Sequence, residues 1–147
     1  MFGAFLEKLA KQTADPLADD DARLALTALL VRVARTDGSY DPAEANRIER
    51  IISTRYGLDA ADTTELRRRA EALEAEAPDT VRFTRAIKDA VSLEERIGVI
   101  EALWDVVMAD GIREDEENAL LRLVANLLGV NDRDSNMARK RVMDARA

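Results

Sequence analysis

The 147-residue chain contains no cysteine and no histidine. This double absence removes disulfides, thiolate zinc sites and every nucleophilic triad that depends on imidazole, and it takes away the side chain best suited to moving protons near neutral pH. Most hydrolase chemistry is thereby disfavoured. Aromatic residues are only 4% of the chain, with six glycines and three prolines. No apolar run approaches the roughly 20 residues needed to cross a bilayer. The opening "MFGAFLEKLAKQ" lacks the basic n-region and long h-region of a secretory signal, so a cytoplasmic protein is expected. Positive charge is also short: 22 Lys and Arg against 29 Asp and Glu leave a net charge of -7, which opposes nonspecific binding to nucleic acid. The one basic cluster, Arg139, Lys140 and Arg141, falls near the end of the last predicted helix, where cations complement the helix dipole.

What is present is a helix-forming alphabet. Apolar residues make up 47% of the chain, and Ala, Leu, Glu and Arg dominate at a length that suits one domain with its own core. The expectation is an all-α fold, with a compact helical domain over 20–147 preceded over 1–19 by an amphipathic helix and a polar connector. Phe2, Phe5, Leu6 and Leu9 give that first helix a narrow apolar stripe that can dock on the domain, on a second copy as a homodimer, or on a membrane surface, the first two being favoured by its narrow face and few basic residues.

From about Asp20, the residues Leu26, Leu29, Leu30, Val33 and Ala34 follow one helix face that ends at Gly38. A second helix takes Asp41 as N-cap, Pro42 at its first position and Glu44 at N3, closing a capping box, and stops near Gly57. A third runs from Asp59 to about Ala77. Asp79 or Thr80 starts a short fourth carrying Phe83, Ile87 and Val91, and Ser92 with Glu95 forms a capping box for a fifth. The pattern then begins again. Ile100, Leu103, Trp104 and Val107 form a face stopped by Gly111, with Trp104 read as core; Leu120, Leu121, Val124, Leu127 and Leu128 form the next, and Asn131 with Asp134 caps the last. A shift of 73 places Leu30 on Leu103, Asp37 on Asp110, Gly38 on Gly111 and Glu44 on Glu117, and after a one-residue gap Gly57 falls on Gly129. The expected architecture is about seven helices, as two pseudo-symmetric three-helix units joined by the short helix.

The doubled stretch, "ARTDGSYDPAE" and "VMADGIREDEE", repeats the second half of an EF-hand calcium loop. With Gly38 at the sixth loop position, Asp37 falls at the fifth, Asp41 at the ninth and Glu44 at the twelfth. The first half fails, because Val33 and Arg35 in one unit, and Val106 and Met108 in the other, offer no ligand oxygen at positions one and three. An ordinary EF-hand is excluded, and two readings stay open. Asp37 with Glu44, and Asp110 with Glu117, can clamp a divalent ion together with carbonyls and water, or each can bond a free N–H at the start of the next helix. Caps account well for the first corner; the second, where Glu114 takes the cap position and "REDEE" crowds four carboxylates, is less well explained by them. An all-oxygen ligand set selects Ca2+ or Mg2+, and no organic cofactor is indicated.

The stretches "LLVRVARTDGSYDPAEANRIERIISTRYGL" and "FTRAIKDAVSLEERIGVIEALWDVVMADGIREDEENALLRLVANLLGV" resemble the tellurite-resistance TerB-like family, in its widespread bacterial branch, over about Asp20 to Arg141. The resemblance implies an all-helical domain of two pseudo-symmetric halves with a divalent-cation site at Asp37, Glu44, Asp110 and Glu117. It also implies a part in tellurite and wider stress responses through protein partners, including a TerC-type membrane protein that would hold the domain at the inner membrane.

Three functions follow for comparison. The first is a noncatalytic cytoplasmic module that binds a divalent cation and acts through protein partners. The second is a structural adaptor or dimerisation domain whose corners are only caps. The third, a carboxylate-metal hydrolase, lacks the Glu-x-x-His spacing common in helical di-metal sites, so no enzyme is expected.

Overall fold

Helix starts are set by short polar side chains that take over an otherwise unpaired backbone N–H. Asp41 Oδ1 accepts from the N–H of Glu44 at 3.0 Å, Asp59 Oδ1 from Asp62 at 2.8 Å and Asp79 Oδ1 from Arg82 at 3.0 Å. Ser92 Oγ accepts from Glu95 at 3.3 Å and Asn131 Oδ1 from Asp134 at 2.8 Å. Between Asp79 and Thr80, it is Asp79 that caps. The computed structural model describes residues 19–36, 40–77, 79–109 and 115–146. Among them the chain forms seven helices and no strand: α1 (Asp19–Thr36), α2 (Pro42–Tyr56), α3 (Ala60–Glu76), α4 (Thr80–Ala90), α5 (Leu93–Ala109), α6 (Asp115–Leu127) and α7 (Asp132–Arg146). The amphipathic stripe of Phe2, Phe5, Leu6 and Leu9 lies outside the described residues.

The repeat read from the sequence is visible in the helix bounds. α1 and α5 end 73 residues apart, α2 and α6 begin 73 apart, and α3 and α7 begin 72 apart. The missing residue is taken up at the ends of α2 and α6, where Gly57 (φ 63°) and Gly129 (φ 69°) hold the left-handed conformation that a side chain would resist. Burial repeats as well. Ile48, Ile51 and Ile52 in α2 are answered by Leu121, Val124 and Ala125 in α6, and Thr63, Leu66 and Ala70 in α3 by Ser135, Ala138 and Val142 in α7.

In each unit the first helix packs most extensively on the third, α1 on α3 and α5 on α7, while α2 lies along α5 and α4 rests on α1. α1 departs from the one-faced helix its spacing suggested: Leu24 through Val31 are all buried, because α2, α3 and α4 cover it from several sides. Phe83, Ile87, Ile100, Leu103 and Leu128 complete the core, each fully buried side chain contributing roughly 1.5–3 kcal/mol. Trp104 is 8% exposed and its indole N–H donates to Ser135 Oγ at 3.4 Å, as a core residue should.

The basic cluster of α7 is placed differently from expectation. The helix continues to Arg146, so Arg139 and Arg141 sit more than a turn before its end. Arg139 lies over the Trp104 ring, 5.5 Å from its centroid, and Arg141 Nη2 pairs with Glu101 at 2.6 Å. These side chains bind α7 to α5 instead of answering the dipole. No helix among the described residues is long and apolar enough to cross a membrane.

Candidate functional site

The two corners occupy matching gaps, residues 37–41 between α1 and α2 and residues 110–114 between α5 and α6. Of the four predicted ligands, Asp37 and Asp110 lie outside the described residues. Glu117 lies in the first turn of α6, and its side chain is likewise outside them. Glu44 is described, half-buried on the first turn of α2. Its backbone completes one half of the predicted capping box. The return bond from its carboxylate to the Asp41 N–H is not formed, and among the described residues that carboxylate has no hydrogen bond or ion pair. No group of three or more acidic side chains among the described residues is placed to hold a metal.

Beneath the first corner runs a seam of alternating charge. Arg32 Nε donates to one oxygen of the buried Glu74 at 2.7 Å, and Arg35 Nε pairs with the other at 2.9 Å. Arg32 also reaches the Glu74 and Ala77 carbonyls at 3.1 and 3.3 Å, so its guanidinium ties α1 to the end of α3. The Arg35 guanidinium lies 4.9 Å from the centre of the Tyr40 ring, which comes from the corner itself. Burial, and then the neighbouring Glu71 carboxylate, push the Tyr40 hydroxyl up to about 12. Arg67 closes the seam by donating from Nε to Glu49 and from Nη1 to Glu71 at 2.9 Å, and the Glu49 bond holds its proton more tightly than usual. Every carboxylate of this seam is matched to a guanidinium. What the seam can do is hold the corner at the junction of α1, α2 and α3.

A half-buried cation serves the other unit. Arg96 donates to the Val91 carbonyl at 3.1 Å and to the Leu128 carbonyl at 2.6 Å, joining the start of α5 to the end of α6. Burial lowers its pKa, but its guanidinium remains charged.

The family of tellurite resistance protein TerB matches residues 23–140, from within α1 to within α7 and across both corners. The chain belongs to the TerB family. No curated protein and no solved structure matches it. The TerB match takes in all seven described helices, with the seam and both αL glycines.

Within this TerB domain the seam is not repeated. At the established register Arg139 stands where Arg67 does, but Arg122 replaces Glu49 and Met143 replaces Glu71. Between α5, α6 and α7 lies a cavity of about 480 Å3, with Trp104, Leu121, Arg122, Asp132, Ser135 and Arg139 in its lining. The sequence reading missed this site. The signal was available in the repeat itself, as a reversal of charge at one aligned position.

Proposed function

We propose that this TerB domain is a noncatalytic module that takes up a divalent cation, Ca2+ or Mg2+, at its doubled corner through Asp37, Glu44, Asp110 and Glu117. Cation uptake then governs docking to protein partners in a tellurite-type stress response, with a TerC-type membrane protein as the expected partner and the domain on the cytoplasmic side. The observation that carries this reading is Glu44. Each acid of the neighbouring seam is neutralised by an arginine, whereas Glu44, the half-buried acid at the edge of the corner, has no hydrogen bond or ion pair on its carboxylate among the described residues. A hard cation is the partner such an oxygen set selects. The noncatalytic part rests on the absence of histidine and cysteine and on the fully paired seam.

Titration calorimetry of metal-free protein with Ca2+ and with Mg2+ tests the proposal, with the Asp37→Asn/Asp110→Asn double variant as control. Binding heat that vanishes in the variant, at unchanged helicity, supports it. An absence of heat up to millimolar ion, with the variant only less stable, replaces it with the structural-adaptor reading.

A further inference from the structure

We propose that the cavity between α5, α6 and α7 binds a phosphate-type oxyanion, held by Arg122 and Arg139 over Trp104. The comparison of the two units carries this. In the first unit Arg67 spends its Nε on Glu49 and an Nη on Glu71. At the same place in the second unit, Arg139 has its Nε shut off from solvent and without a hydrogen-bond acceptor. Arg139 is therefore not spent inside its unit as Arg67 is, and it stands in the lining of the cavity beside Arg122. Among the described residues no acceptor is offered: the two positions that supplied carboxylates now hold Arg122 and Met143, and Arg122, itself exposed, makes no ion pair among them.

The remaining lining fits the same ligand. The Trp104 ring, 5.5 Å below Arg139, fixes the guanidinium plane, and the equivalent position in the first unit is only Val31. Ser135 Oγ accepts from the Trp104 indole, which leaves its own proton to donate, and the Asn136 amide also lines the cavity. Asp132 is the opposing charge, one exposed carboxylate against two guanidinium groups. Planar guanidinium groups with hydroxyl and amide donors suit oxyanions. A cavity of about 480 Å3, with Leu121 and Ala125 in its walls, leaves room for an organic portion beyond the phosphate.

Trp104 is the only tryptophan in the chain, so its fluorescence reports directly on this cavity. Metal-free protein is titrated with inorganic phosphate and, separately, with glycerol phosphate, at ionic strength held constant with chloride, by fluorescence and calorimetry in parallel. The expected result is saturable binding that weakens by roughly tenfold or more in Arg122→Gln, the loss of one charge-assisted bond, and is unchanged in Arg141→Gln, whose arginine pairs with Glu101 elsewhere. Tighter binding of glycerol phosphate identifies an organic phosphate as the ligand, and equal binding identifies the free ion. Neither heat nor fluorescence change up to tens of millimolar of both anions, or equal weakening in the two variants, overturns the proposal. Because no divalent ion is present, either outcome is independent of the cation site.

Discussion

Arg32 donates from Nε to Glu74 at 2.7 Å across 42 residues of sequence, and this one contact fastens the end of α1 to the end of α3. Glu74 is 6% exposed and the Arg32 side chain 15%, so neither charge has water to fall back on. Replacing Glu74 with Ala leaves the Arg32 guanidinium on backbone carbonyls without its counter-charge and is expected to cost about 3 kcal/mol in urea denaturation. Arg35→Ala removes a side chain that is 45% exposed and should cost under about 1 kcal/mol.

Both tyrosines of the chain hold their protons more tightly when folded. For Tyr40 the folded value is about 12 against 10 for the free group, so its contribution to stability is full below pH 10 and is lost as the pH rises through about 12. Tyr56 shifts upward too, chiefly by burial. Tyrosinate absorbance should therefore show no transition near pH 10 in the folded protein, and should rise only at higher pH together with loss of helical signal. A normal transition for both groups would refute the burial of their hydroxyls. The Tyr56 hydroxyl is buried without a hydrogen-bond partner, so Tyr56→Phe should be neutral or stabilising by up to about 1 kcal/mol.

The two left-handed glycines are predicted to differ in tolerance. An alanine at either position meets the conformational penalty of about 1 kcal/mol. At Gly57 the added carbon enters open space, whereas at Gly129 it would meet Lys88 Cδ at 2.8 Å and Arg96 Nη1 at 3.0 Å. Lysine can swing aside, but Arg96 is bonded to the Leu128 carbonyl. Gly129→Ala should cost about 2 kcal/mol, the extra loss being part of a charged hydrogen bond. Equal melting-point losses for the two variants would contradict this.

Phe83, fully buried where α4 meets the core, should cost about 3–5 kcal/mol when truncated to alanine. The same denaturation series measures it against Val81→Ala on the same helix, where the side chain is 67% exposed and little should change.

Four N-caps, a fifth narrowed to Asp79 or Thr80, and the helix order were legible because each depends on residues within one or two turns, and the repeat because that local pattern returns 73 residues on. Asp59 needs only the N–H of Asp62, and Gly57 only the end of its own helix. The repeat even located the one-residue difference, which falls at the ends of α2 and α6. Contacts set by tertiary packing were not legible: no periodicity joins Arg32 to Glu74, or tells that α1 is covered on several sides. The capping box at Asp41 was half right, because its local donor is used while the Glu44 carboxylate is not. Of the four corner acids, Asp37, Asp110 and the Glu117 side chain lie outside the described residues, and Glu44 alone has its surroundings described.

The long contact of α2 with α5 has a consequence for what could be cut from this protein. A shelf of apolar side chains on each half is finished only by the other, so neither half is a spare part. Cleaved between α4 and α5, the fragments should be insoluble alone and should recover their shape when mixed, behaving as two pieces of one object and not as beads on a string.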